Sequence, residues 1–197
     1  VFRSIDFHTL PLAQRITYRF YEGRLAIFQE DYVKAENRLK FCFKECPKNE
    51  KRNRARILQY LIPVQIYFGI YPSNKLIEKY DLNQYIQLVP AIVCGDIQTF
   101  EKNMKLNQSF FLNRGIYLLI EKLKTILYRN LIFKIYNVLG KNPQDNKINL
   151  KTVLPTLKQI GSVEDMDGLE CMLSNLIFSK YVKGYISHTK LYLGFSK

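Results

Sequence analysis

The sequence predicts an all-α chain, a stack of antiparallel helical hairpins that ends in a small helix–turn–helix unit closed by a β-hairpin. Three observations predict it. Apolar residues recur at helical intervals through most of the 197 residues. Glycine, proline and short polar joints interrupt that periodicity at hairpin-length spacing. Only the stretch from Val182 onward switches to a two-residue alternation.

The first hairpin is the most explicit. Residues 20 to 47 read FYEGRLAIFQEDYVKAENRLKFCFKECP, with Gly23, Asp31, Tyr32, Ala35 and Pro47 at tetratricopeptide-like spacing. Gly23 and Ala35 are small where two antiparallel helices come closest, Asp31 can cap the second helix, and Pro47 cannot continue it. One hairpin cannot bury its own face, so neighbours must stack on it. Asn53 to Phe68 supplies the next helix, carrying Ile57, Leu58, Leu61, Ile62 and Ile66 and stopped by Gly69 and Pro72. Ser73 is an N-cap for Asn74 to Tyr80. The periodic set Leu82, Tyr85, Leu88, Val89, Ile92 and Val93 predicts one helix up to Gly95, and Asp96 caps a further helix to Leu106. The economical reading of residues 1–114 is an α-solenoid arm.

Residues 115–197 are expected to hold a long helix plus the terminal unit. Gly115 to Leu139 is the longest periodic run, with Ile116, Leu119, Ile120, Leu123, Leu127, Leu131, Ile135 and Val138 in one stripe. Gly140 to Lys147 reads as a loop. Leu150 to Ile160 is a short helix stopped by Gly161, and Ser162 to Asp165 caps a second helix that runs to about Ser179. Val182, Gly184 and Ile186, then Leu191, Leu193 and Phe195, alternate with their neighbours around His188 and Thr189. Helix, turn, helix and β-hairpin make a winged helix.

Composition bounds the function. The formal charge of +13 is spread along the chain and favours a polyanionic partner, either nucleic acid or a strongly acidic protein. No apolar run is long enough to span a bilayer, so no membrane partner is expected. The chain begins at Val1 without an initiator Met, as a fragment does, and no targeting peptide is expected in it. Cys42, Cys46, Cys94 and Cys171 have no metal-ligand spacing, His8 and His188 lie far apart, and Cys42 and Cys46 fit buried apolar positions. Neither a Gly-rich phosphate loop nor a GxSxG or HExxH string occurs, so the reading is non-catalytic with no cofactor and no metal.

Four strings carry a family resemblance: YEGRLAIFQEDYVKAENRLKFCFKECP (21 to 47), RARILQYLIPVQIYFGIYP (54 to 72), FFLNRGIYLLIEKLKTILYRNLIFKIY (110 to 136) and VKGYISHTKLYLGFSK (182 to 197). From about Phe20 to its end the chain resembles the PCI-domain family, and within it the branch that serves the TREX-two mRNA export complex. The resemblance implies a helical-repeat arm fused to a winged helix. It also implies a nuclear, pore-associated scaffold held by a large export-complex subunit and a small acidic Sem/DSS-type subunit, with RNA or DNA bound through phosphate contacts. The alternative it leaves open is a structural PCI subunit of a proteasome-lid or signalosome-like assembly without direct nucleic-acid binding. One departure stands out: Leu131-Ile132-Phe133-Lys134 replaces a more basic string of the branch.

Winged helices touch nucleic acid through the second helix, the wing and nearby cations, which rigid elements hold against phosphates. The candidates are Lys151, Lys158, Lys180, Lys183, His188 and Lys190. Glu164, Asp165, Asp167 and Glu170 at the start of the second helix oppose phosphate there, which points away from base-specific reading. A second basic cluster, Lys48, Lys51, Arg52, Arg54 and Arg56, suits an acidic partner or an RNA backbone. Its cations sit poorly with the positive end of a helix dipole. Phe110, Phe111, Tyr117 and Tyr128 fall in helical stripes and are expected in the core.

Overall fold

A computed structural model describes residues 7–139 and 146–196. After a 3-10 turn at Phe7–Thr9, the helices are α1 (Leu12–Phe28), α2 (Tyr32–Glu45), α3 (Lys51–Tyr67), α4 (Asn74–Lys79), α5 (Leu88–Cys94), α6 (Ile97–Leu106), α7 (Gln108–Arg114), α8 (Tyr117–Val138), α9 (Leu150–Gln159) and α10 (Met166–Phe178). Strands β1 (Lys147–Asn149), β2 (Gly184–Ser187) and β3 (Tyr192–Phe195) form one antiparallel sheet in the order β1-β3-β2. This is the helical chain with a winged-helix end that the sequence predicts. Residues up to Ile86 with Asn107–Glu121 make one compact unit; Gln87–Leu106 with Lys122 onward make a second.

In the first unit the hairpin of α1 and α2 closes over its small residues. A Cβ on Gly23 would lie 2.9 Å from Leu39 Cγ, and Ala35 is fully buried. Asp31 Oδ1 accepts from the Lys34 N–H at 3.0 Å, a cap that contributes about 1 kcal/mol. Glu22 ties the two helices together by charge, since its carboxylate pairs with Arg19 at 2.7 Å and Arg38 at 2.9 Å. Ser73 caps α4 by accepting from the Leu76 N–H.

Helix α3 continues through the buried Pro63. Proline has no N–H, so the carbonyl of Gln59 four residues earlier has no helical donor. The Tyr85 hydroxyl donates to it at 2.6 Å. Tyr85 itself sits in a 3-10 turn, Asn83–Tyr85, followed by α5, where the periodicity predicted one continuous helix. Pro90 explains the break: it is tolerated in a first helical turn, where its N–H would have no partner, so α5 starts only at Leu88.

In the second unit Gly95 (φ +70°) ends α5, and a Cβ there would meet the Leu131 backbone at 2.7 Å. Asp96 caps α6, accepting from the Thr99 N–H at 3.0 Å and the Thr99 hydroxyl at 2.7 Å, which holds its carboxyl below the usual range. On α8, Asn130 donates to the Ile92 carbonyl at 2.7 Å, near the C-terminal end of α5. Ile126 and Ile132 are buried beside the predicted stripe, whereas Val138, in the final turn, is 78 % exposed. Of the four aromatics expected in the core, Phe111 is fully buried; Phe110, Tyr117 and Tyr128 are half-buried.

The terminal unit packs Leu150, Val153 and Leu157 of α9 and Leu169, Leu173 and Leu176 of α10 with Ile148 and Leu193 of the sheet. Asp165 caps α10 through the Gly168 N–H at 2.7 Å. Strand β1 was not anticipated, because a three-residue alternation is too short to be told from a loop end. It takes in Lys147, the last residue of the expected loop; residues 140–145 of that loop lie outside the described residues. Cys42 and Cys46 are buried as expected, and desolvation pushes the Cys42 thiol up to about 12. Cys94 and Cys171 are exposed. No helix among the described residues is long and apolar enough to cross a membrane.

Candidate nucleic-acid interface

The wing is built on three cross-strand rows. Ile148, Leu193 and Ile186 stand opposite one another and face the core. The rows on either side, Lys147–Gly194–Tyr185 and Asn149–Tyr192–Ser187, therefore share the other face, because side chains alternate along a strand. The Leu150 N–H donates to the Leu191 carbonyl at 2.8 Å, which sets the start of α9, with Lys151, beside the turn that carries Lys190. Lys183 directly precedes β2, and its carbonyl accepts from the Ser196 N–H. Lys180 closes α10 in a left-handed conformation, φ +61°.

The structure thus gathers Lys151, Lys183 and Lys190 around the wing, with Lys180 in the approach to it. All four are exposed, and none forms an ion pair among the described residues. Lys158 is exposed too, but lies two turns along α9 from Lys151, about 10 Å by helical rise. Lys147 belongs with this set and was missed, since it fell in an expected loop. Its ammonium lies 4.9 Å from the Tyr192 ring centroid.

His188 has a different job from the others. Its Nδ1 lies 2.8 Å from Glu170 Oε2, tying the wing turn to α10, and that carboxylate pulls its pKa above the ordinary histidine value. Glu170 is thereby neutralised in part, yet α10 contains no Lys or Arg and also carries Asp167. A groove of about 510 Å³ beside α10 is lined by Glu164 and Asp165 and by no cation. The exposed cations of this unit thus lie on and around the wing, and the carboxylates lie on and beside α10.

The second basic cluster needs one correction. Arg54 is not part of a surface: it is 9 % exposed, donates to the Phe43 carbonyl at 2.9 Å, the Cys46 carbonyl at 2.6 Å and the Tyr80 hydroxyl at 2.9 Å, and lies 4.0 Å over the Phe43 ring. Its position on the inward side of α3, one turn before Leu58, was the available signal. It satisfies carbonyls at the C-terminal end of α2, where a cation also suits the helix dipole. Lys48, Arg52 and Arg56 remain exposed, while Lys51 pairs with Asp81 at 3.0 Å. Among the described residues no group of three or more His, Cys, Asp or Glu side chains is placed to hold a metal.

The arrangement of helices, cap and wing agrees with a family comparison that matches residues 101–197 to the PCI domain. Residues 101–197 carry a PCI domain. The chain is 41 % identical over 179 residues to the PCI domain-containing protein 2 homolog of Dictyostelium discoideum, covering 90 % of this chain and 41 % of that protein. It is 38 % identical over 188 residues to PCI domain-containing protein 2 of Xenopus laevis, covering 94 % and 46 %. Against the protein CSN12 homolog of Gibberella zeae it is 31 % identical over 194 residues, covering 91 % and 42 %. The chain spans less than half the length of these relatives. The wing lysines described above all lie within the stretch that matches the PCI domain.

Proposed function

We propose that this PCI protein is a non-catalytic scaffold and adaptor subunit of a TREX-two-like complex in transcription-coupled mRNA export, acting in the nucleus at the pore. It joins a large scaffold subunit and a small acidic Sem/DSS-type subunit, and it holds RNA or DNA by phosphates at Lys151, Lys180, Lys183 and Lys190, with Lys158 extending the track. The observation that carries the nucleic-acid part is the set of exposed wing lysines that have no carboxylate partner among the described residues. Likeness to proteins named PCI domain-containing protein 2 supports the branch. Lys48, Arg52 and Arg56 offer the acidic subunit a separate basic surface.

Phosphate-directed binding weakens steeply with salt. The Lys183→Glu, Lys190→Glu double variant is expected to lower affinity for RNA and DNA and to flatten the log–log salt slope by roughly 0.7 per lost contact on single strands. Unchanged binding would mean the wing does not hold nucleic acid. A second reading, a structural subunit of a lid- or signalosome-like assembly, is favoured by the carboxylates on α10. Co-purification with the acidic subunit, but no RNA retained at moderate salt, would select it.

A further inference from the structure

The wing's outer face carries more than charge. A Cβ built on Gly194 would lie 2.8 Å from Tyr185 Cε1, 2.9 Å from Cζ and 3.2 Å from the hydroxyl oxygen. Three atoms of the side chain are thus nearly equidistant from one point above the sheet, so the ring lies flat across the glycine. Its other face looks outward, and Tyr185 is 51 % exposed. Next to it the Tyr192 ring stands almost perpendicular, 77° between planes and 5.9 Å between centroids, with the two hydroxyls 3.4 Å apart. Floor and wall make a corner.

The electrostatics of the corner are positive. Lys147 lies against the Tyr192 ring, and Lys190 follows in the turn. The Tyr192 phenol is pulled below its ordinary range, first by its hydrogen bond with Tyr185 and further by the fields of Lys147 and Lys190. Glu170, the carboxylate that reaches the wing turn, is occupied by His188. Duplex recognition by a winged helix places the second helix in a groove, and α10 has no cation to offer there. Stacking on an exposed aromatic needs a base that is out of a duplex, and it tolerates any sequence because every base has a π face.

We infer that this corner is a stacking site for an unpaired base of single-stranded nucleic acid, with Tyr185 as the platform, Tyr192 as the side wall, and Lys147 and Lys190 taking the flanking phosphates. The inference rests on the wing-lysine reading above and adds to it the class of ligand and the residue that selects it. Gly194 is the positioning residue: any side chain there lifts the platform off the sheet.

The test measures binding of the 197-residue chain to fluorescein-labelled oligo(rU), oligo(dT) and a matched duplex by anisotropy. Tyr185→Ala is expected to lose roughly tenfold on single strands and nothing on duplex, while Tyr185→Phe, which keeps the ring, stays near the parent. Tyr185→Leu, which still covers Gly194, serves as the second variant and should behave as Tyr185→Ala does. The rU and dT arms distinguish RNA from DNA as the natural strand. Parental single-strand affinity in both the Ala and Leu variants, or a parallel loss on duplex, overturns the stacking site. If those variants bind normally while Lys183→Glu, Lys190→Glu binds weakly, only the platform falls; if the lysine variant also binds normally, the wing reading falls with it. Tyr185-dependent binding of poly-glutamate in place of either oligonucleotide would assign the corner to an acidic protein and likewise overturn it.

Discussion

The Tyr85 hydroxyl donates to the main-chain carbonyl of Gln59 at 2.6 Å, and Gln59 is the residue whose helical partner Pro63 cannot provide. Tyr85 is fully buried, so the bond is made away from competing water. Removing the hydroxyl leaves a carbonyl without a donor, which costs about 1–3 kcal/mol. Tyr85→Phe is expected to lower stability by that amount in urea unfolding. In a Pro63→Ala background, where an N–H is restored, the same change should cost less, and a double-mutant cycle reads the difference directly.

Arg54 makes three hydrogen bonds and stacks on Phe43. Arg54→Met should therefore destabilise the chain by about 2–4 kcal/mol, and Arg54→Lys should rescue little, since an ammonium lacks the planar fork. Nucleic-acid affinity per folded molecule should stay unchanged. An Arg54 variant that folds normally but binds RNA poorly would return this residue to the surface cluster.

Gly95 combines a φ of +70° with the Leu131 backbone 2.7 Å from where a Cβ would stand. Gly95→Ala meets backbone and not a movable side-chain end, so a loss of about 2 kcal/mol or more is expected in thermal or urea melts. Gly69 also has a positive φ but open space around it, and Gly69→Ala should cost clearly less.

The His188–Glu170 pair gives the wing a pH dependence. Folding raises the His188 pKa, so its stabilising contribution is complete below the ordinary value near 6.5 and is lost as pH rises through the higher folded value. Melting temperature should fall across that window in the parent and fall less in His188→Gln. A parent and variant with parallel pH profiles would show that the pair contributes nothing to stability.

Lys180 adopts a left-handed backbone that glycine takes without strain. Lys180→Gly is expected to be neutral or stabilising by up to ~1 kcal/mol while weakening phosphate binding. Opposite changes in melting temperature and affinity would identify the lysine as kept for its charge.

Periodicity made most helices legible, and capping residues such as Asp31, Ser73, Asp96 and Asp165 located their starts, because both are local properties of the chain. Residues with two local meanings were harder. Pro90 looks like one more interruption until its place in a first turn divides Leu82 to Gly95 into two pieces. Arg54 looks like a member of a basic run, and only its spacing of one turn from Leu58, outside the string Lys51 to Arg56, marks it as the cation that faces inward. At the wing, the lysines and the alternation from Val182 were readable. The flat seat of Tyr185 was not, because it depends on the register that sets Gly194 opposite it, which only strand pairing defines. Lys147 was hidden for the same reason: β1 exists by virtue of β3.

The cysteines divide into two sealed thiols and two open ones, and Cys171 lies on α10, the helix to which His188 ties the wing. A maleimide dye should enter Cys94 and Cys171 and spare Cys42, whose thiolate is scarce at neutral pH. With Cys94→Ser, a single fluorophore would sit on the terminal unit without further engineering, so that arrival of a strand or a partner at the wing could be followed as an optical signal in real time.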